Sequence, residues 1–272
     1  MKIKDHFLTK EIFEIKDTEI PGIKKTFPVP EDLKKYYKTE KYISHYQEKK
    51  SIKNILYKGI QRINNNFKSK IISEILPKKS KILDYGSGSG NFIKHIEEKY
   101  HAYAYEPNEK AKKTGINKAK NTRYIKNIEE IPNEHLDCIT LWHVLEHIEK
   151  KEEILKVFYT KLRKEGYLII ALPNYSSYDA KKYKEYWAAY DVPRHIWHIS
   201  REGMKNMIEK KRWRIKNIKP LIFDAYYISI ISEKYKKNSL FWLKGVIQGT
   251  ISNFKALKSG NYSSLIYIIQ KK

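Results

Sequence analysis

Five residues near position 90 have the types and spacing to hold a nucleoside. Asp84, Gly86, Gly88 and Gly90 fall within ILDYGSGSGNF, residues 82–92, and Glu106 follows 22 positions after Asp84. This stretch takes three of the chain's eleven glycines. Glycines let the backbone turn tightly and let a ligand touch it, and a helix beginning beyond them offers free N–H groups. An acid about twenty positions on, at the end of the next strand, accepts hydrogen bonds from ribose hydroxyls. The dinucleotide fingerprint G-x-G-x-x-G is not met, because position 91 is Asn. A nicotinamide-dependent oxidoreductase is therefore the weaker enzyme class.

A second constellation is built on histidine. His143-Val-Leu-Glu146-His147 sets three polar groups at i, i+3 and i+4, one face of a helix if helical. As H-x-x-E-H it matches inverted zinc proteases. That reading fails, because zinc needs a further ligand with no clear candidate. The leading reading is that Glu146 and His147 cap and pack a following helix while His143 faces a pocket. Further on, residues 174–199 are dense in aromatic and titratable groups: Tyr178, Trp187, Tyr190, Asp191, Arg194, His195 and His198 among them. Such a segment suits a substrate pocket. Histidine suits removal of a hydroxyl proton at neutral pH. The candidate bases are His195, then His143, then His198. Against this, His195 and His198 can equally hold a structural loop, and Asp191 with Arg194 can be a structural pair.

The elements that must position these groups follow from hydrophobic periodicity. Residues 51–76 carry apolar positions at helical spacing, with Pro77 beyond. From position 80 strand and helix patterns alternate: KILDYG, NFIKHIEEKY, HAYAYEP, NEKAKKTGINKAK, TRYIKN, LDCITLWHV, a helix ending at Gly166, YLIIALPN, a helix capped by Ser200, and WRIKNIKPL. That alternation predicts a mostly parallel sheet covered on both faces. Residues 1–50 read as an irregular cap segment with a tyrosine-rich piece, YYKTEKYISHY. The core runs over 51–222, with 174–199 as an insertion on the substrate side. Residues 223–260 form a helical insertion, and 261–272 return as the last strand.

Hydrophobic–D-x-G-x-G-x-G at the first strand, with an acid ending the second, resembles the class I S-adenosylmethionine-dependent methyltransferases. LDCITLWHVLEHI resembles their fourth strand, GYLIIALPN their fifth, and YSSLIYIIQ their antiparallel seventh. The chain is similar to the quinone O-methyltransferase-like group and to methyltransferase domain types 11, 12 and 23. YWAAYDVPRHIWHIS resembles a bacterial branch of them. The resemblance implies an α/β, Rossmann-like seven-stranded sheet and S-adenosyl-L-methionine as cofactor. It implies that Asp84, Tyr85, Gly86, Ser87, Gly88 and Gly90 meet the methionine end, and that Glu106 with Pro107 holds the ribose. Asn127, Ile128, Leu141 and Trp142 would flank the adenine and the sulfonium. Tyr178, Trp187, Tyr190, Asp191 and Arg194 would face the methyl acceptor. Quinone O-methyltransferases carry E-x-x-E-H where this chain has His143, which puts a magnesium site in doubt. Any metal would use His143, Glu146 and His147, and none is expected. The implied reaction is O-methylation of a small-molecule, lipid-linked or saccharide acceptor.

Composition narrows the partners. The net charge is +24, yet 48 of the 55 basic residues are lysine and only 7 are arginine. Arginine is the residue favoured for bidentate contact with phosphate and guanine, and the lysines are spread along the chain. No specific nucleic acid is expected, although the charge keeps an RNA methyltransferase or an RNA-binding module open. The single cysteine, Cys138, excludes a disulfide framework. No apolar leader opens the sequence, and its longest mostly apolar run, residues 221–232, contains Asp224. A cytoplasmic protein is expected. The 223–258 insertion, apolar and basic on different residues, admits a packed subdomain, a lid, a dimer face or a surface touching anionic lipid.

Overall fold

The structure, a computed structural model, describes residues 1–37, 52–208 and 212–272. The tyrosine-rich stretch from position 38 lies outside the described residues. The chain opens with three strands, β1 (Lys2–Lys4), β2 (Ile12–Asp17) and β3 (Ile23–Phe27). Helix α1 (Ile52–Ser73) leads into β4 (Lys81–Tyr85), α2 (Asn91–Ile96), β5 (His101–Tyr105), α3 (Glu109–Lys118) and β6 (Thr122–Tyr124). Then come β7 (Leu136–Trp142), α4 (Lys151–Lys161), β8 (Leu162–Pro173), α5 (Tyr178–Tyr183), β9 (Trp197–Ile199), α6 (Arg201–Ile208) and β10 (Trp213–Pro220). Helices α7 (Ile222–Tyr235) and α8 (Phe241–Ser259) precede the last strand, β11 (Ser264–Lys271).

Seven strands form one sheet in the order β10-β11-β8-β7-β4-β5-β6. β4 is parallel to β5 and β7, β7 to β8, and β5 to β6. β11 runs antiparallel between β8 and β10. This is the Rossmann-like sheet with an antiparallel last strand that the sequence predicts. Its strands are buried on both faces and alternate with period two. On β8, Leu168, Ile170 and Leu172 pack with Leu155 and Phe158 of α4, while Ile169 and Ala171 pack with Ile71, Ile72, Phe92 and Ile93 from α1 and α2. Each such fully buried side chain contributes about 1.5–3 kcal/mol of transfer free energy. Ser200 caps α6 as expected, accepting the Gly203 N–H at 2.9 Å.

Two expectations are corrected. α4 ends at Lys161 rather than at Gly166, because from Leu162 the chain already pairs with Leu136 of β7. Gly166 serves close approach instead: a Cβ there would lie 2.9 Å from the Arg163 carbonyl oxygen. The N-terminal segment is not irregular. β1, β2 and β3 join β9 in a four-stranded antiparallel sheet, with Ile23 opposite Ile199. Its core holds Ile3, Phe13, Ile15 and Tyr36 against Tyr183, Trp187, Tyr190 and Val192. Among the described residues, no helix is long and apolar enough to cross a membrane.

Candidate active site

The carboxyl ends of β4, β5 and β7 meet beneath the glycine loop. Gly86, Gly88 and Gly90 all have positive φ, at 80°, 55° and 73°. That backbone strains any residue with a Cβ. Space is also short: a Cβ on Gly86 would lie 2.5 Å from Val144, and one on Gly90 2.9 Å from the Gly115 Cα. The Gly86 and Ser87 N–H groups donate to the Tyr105 carbonyl, at 2.8 and 3.0 Å. Tyr85 stacks on Tyr105, with ring centroids 4.6 Å apart.

Glu106 spans the loop and the next turn. One carboxylate oxygen accepts the Gly88 N–H at 2.7 Å, the other the Asn108 N–H at 2.8 Å, past Pro107. Burial pushes this carboxyl up, against those two hydrogen bonds. Asp84 is buried and accepts from the Thr140 hydroxyl at 2.7 Å. Burial raises it to about 6, against the Thr140 hydrogen bond and the nearby Lys68 ammonium. Leu141 is wholly buried at the end of β7, and Trp142 beside it meets Phe92 edge to face. Ile128 is buried, while Asn127 is exposed and caps the short turn over Ile128–Glu130.

Among the described residues, buried Trp142 Nε1 has no hydrogen-bond partner, and buried Ser87 Oγ and Tyr124 OH have none beyond each other. Buried polar groups are normally paired. Together with a glycine cradle that a Cβ would fill, they fit a polar ligand bound over β4 and β7. Sequence reasoning missed one group here. Lys68 of α1 sets its ammonium 4.5 Å from the Trp142 ring centre. Burial pushes that ammonium down, against Asp224 and Asp84. The available signal was a lysine three and four positions before the inward-facing Ile71 and Ile72.

The histidine constellation gathers just past β7, and not in the predicted grouping. His143 sits in left-handed backbone, φ 56°. Its Nε2 lies 3.0 Å from Asp224 of α7 and its Nδ1 3.4 Å from Glu146. Burial alone would lower this imidazole, but the two carboxylates outweigh it and raise it to about 10. Asp224 was the second group missed, although an acid inside an apolar run was its signal. Glu146 is 1% exposed, and apart from the His143 ring at 3.4 Å neither of its oxygens has a hydrogen-bond partner among the described residues. Burial would raise its carboxyl, but His143, His195 and His147 bring it to about 2. Glu146, His147 and His195 each place one donor atom within 4.8 Å of the others.

The tautomers follow from the partners. His147 Nδ1 lies 2.9 Å from the Arg194 carbonyl and His195 Nδ1 2.8 Å from the Ala189 carbonyl. A carbonyl only accepts, so both Nδ1 atoms carry hydrogen and both Nε2 atoms keep lone pairs when the rings are neutral. Burial, with His147 adding to it, lowers His195 to about 4. Any cation here would meet Glu146, His147 and His195. His143, held by Asp224, stands outside that set, which revises the trio suggested by sequence. His198 is committed elsewhere. The Thr26 hydroxyl donates to the His195 carbonyl at 2.8 Å, so at 2.9 Å it accepts from His198 Nε2.

The aromatic segment mostly packs inward. Trp187 and Tyr190 lie in the core of the small sheet, and Trp187 Nε1 donates to Asp179 at 2.7 Å. Arg194 is 1% exposed and ion-paired to Asp191 at 2.7 Å and Asp5 at 2.9 Å. Trp187, Tyr190 and Arg194 are thus committed to packing and pairing, and with Asp191 they border a small crevice beside Phe7 and Tyr235. Tyr178 is half-buried under the Lys255 ammonium, 4.0 Å away. A small crevice past β8 is lined by Trp187 and Ala189 together with Pro173, Tyr175, His195, Trp197 and His198.

A family model described as a methyltransferase domain matches residues 60–214, more than half of the chain. The chain belongs to the class I S-adenosylmethionine-dependent methyltransferases. The matched residues hold the glycine loop, Glu106 and the histidine cluster of this methyltransferase. A search of curated proteins gives no match. Among solved structures it is similar to Haemonchus contortus phosphoethanolamine N-methyltransferase 2, in complex with phosphomonomethylethanolamine and S-adenosylhomocysteine. That match has TM-score 0.58 and 14% identity, over 92% of this chain and 62% of the other. The methyltransferase thus spans less than two thirds of that enzyme's chain. It is also similar to a SAM dependent methyltransferase from Archaeoglobus fulgidus, with TM-score 0.51 and 18% identity, over 82% and 100% of the two chains. A third similar structure is geranyl diphosphate C-methyltransferase from Streptomyces coelicolor, with TM-score 0.50 and 10% identity, over 76% of each chain. At these identities the likeness is one of fold.

Proposed function

We propose that this methyltransferase methylates a hydroxyl oxygen of a small-molecule, lipid-linked or saccharide acceptor, with His195 as the base. The observation that carries this reading is the His195–Glu146 pair. Among the described residues, a neutral His195 imidazole with no hydrogen-bond partner at Nε2 sits beside the buried Glu146 carboxylate, whose other polar neighbour is the His143 ring, at the end of β7.

When bound, the cofactor supplies a methyl group made electrophilic by a cationic sulfonium. The chain's residues do the rest. Glu106 would take the ribose hydroxyls, Gly86, Ser87 and Gly88 would meet the methionine end, and the Lys68 ammonium would offset negative charge there. Leu141 and Trp142 exclude water around the reacting centre. His195 Nε2 takes the acceptor proton, and the Glu146 carboxylate stabilises the imidazolium that results. His143 is protonated at neutral pH and cannot serve as a base there.

The pH profile tests this assignment. Because His195 titrates near 4, kcat should stay level from pH 8 down to about 5 and fall below that. A His195→Asn variant should lose roughly 10²–10⁴-fold in kcat with little change in KM. A rate that instead climbs with pH towards 10 would assign the base to His143 and overturn the proposal. The +24 charge favours a second reading, RNA as the acceptor.

A further inference from the structure

Helices α7 and α8 form a hairpin between β10 and β11, and α8 is packed the wrong way round for a helix in water. Its inward seam is Gly245, Gly249, Ser252 and Ala256, all buried. The contact is close: a Cβ on Gly245 would lie 2.5 Å from the Ile230 Cα, and one on Gly249 2.8 Å from the Tyr226 Cα. The large apolar side chains face out instead. Trp242, Leu243, Val246, Ile247, Phe254 and Leu257 are between 44% and 75% exposed. Burial of apolar surface drives folding, so a water-facing helix normally turns its small and polar residues outward. Small residues between helices with large apolar ones outside is the pattern of helices that end in lipid.

The charges around this face have one sign. Between positions 222 and 260 stand six lysines, at 234, 236, 237, 244, 255 and 258, and only two acids, Asp224 and Glu233. Both acids turn inward. Asp224 pairs with His143, and buried Glu233 accepts from Tyr183 at 3.1 Å and Asn238 at 2.7 Å. An apolar stripe bordered by the hairpin's own cations, with no acid of the hairpin turned outward, complements an anionic lipid surface. A second copy of the chain is a poor match, since a two-fold contact would set lysines against lysines. Lys244, Lys255 and Lys258 on α8 suit a helix lying in the headgroup plane rather than crossing it.

We infer that the outer face of α8, with the lysines of the α7–α8 hairpin, docks the protein on the surface of an anionic membrane. The docking does not depend on which acceptor is methylated. Its test is co-sedimentation of the full chain with vesicles of phosphatidylcholine alone, and of equal parts phosphatidylcholine and phosphatidylglycerol. The chain is expected to sediment with the mixed vesicles and not with the neutral ones, less so as salt rises. A Phe254→Ser/Leu257→Ser variant and a Lys244→Gln/Lys255→Gln/Lys258→Gln variant should each bind the mixed vesicles at least about tenfold more weakly. Both sets of side chains are exposed, so both variants should stay folded, with melting temperatures within a few degrees of the wild type. Failure to sediment, or undiminished binding by the apolar variant, would overturn the inference. So would a dimer in light scattering that the apolar variant dissolves, because a second copy would then cover the face.

Discussion

The most informative single side chain is His143, because two carboxylates fix its charge. Its folded pKa of about 10 lies above the ordinary imidazole value. The stabilisation is therefore fully present below about pH 6.5 and is lost as pH rises through about 10. Asp224→Asn removes the nearer partner, at 3.0 Å. Since His143 is only half-buried, the loss should be about 1–2 kcal/mol, discounted from the larger figure for deeply buried pairs. Urea unfolding of both proteins at pH 7 and above pH 10 measures it. The gap should narrow at the higher pH, and a gap that persists would mean the pair is not its source. Such a contact shows how far the sequence could be read. Asp84, the three glycines and Glu106 were legible because their spacing along one strand–helix–strand unit encodes the glycine loop and the carboxylate that closes on it. Asp224 and Lys68 were not, because only the finished sheet brings α7 and α1 to the end of β7.

At the scale of elements, the join between the two sheets is the least legible feature and one of the most consequential. β1 has three residues and β9 has three, too short for any period to register. Their sheet exists because β3 pairs with a strand more than 170 positions away. What fastens it is Arg194, which also packs against the Phe7 ring at 4.9 Å and donates to the Tyr36 carbonyl at 3.3 Å. Sequence reasoning saw the Asp191–Arg194 pair as one option but had no means to add Asp5. Removing the guanidinium would leave Asp5, itself buried, without its cation. Arg194→Ala should therefore cost about 3–5 kcal/mol. In a chain of this size that lowers the melting temperature by roughly 10 °C. Asp5→Asn, which keeps a hydrogen-bonding side chain on the same site, should cost less. Equal losses would argue that the segment, rather than the ion pair, sets the stability.

For the whole molecule the governing quantity is charge. The sum of +24 understates the surface, because among the described residues six acids are buried against four bases. The buried acids are Asp5, Asp84, Glu97, Glu146, Asp179 and Glu233; the bases are Lys151, Lys161, Arg194 and Lys271. The exposed ion pairs, such as Lys16–Glu14 and Lys150–Glu153, are each worth no more than about 1 kcal/mol. Repulsion among the remaining lysines then decides the response to salt. The screening length falls from about 30 Å at 10 mM to about 8 Å at 150 mM, below the separation of most surface charges. The melting temperature should rise by a few degrees across that range. A fall would mean that local pairs outweigh the net field. The same titration separates the two acceptor classes. Binding that relies on phosphate contacts loses orders of magnitude over that range, because each neutralised phosphate releases counterions. Methyl transfer to an uncharged hydroxyl in a pocket should keep its KM. A KM that climbs steeply with salt would move RNA ahead of a small acceptor, and would recast the lysine surface as part of the site.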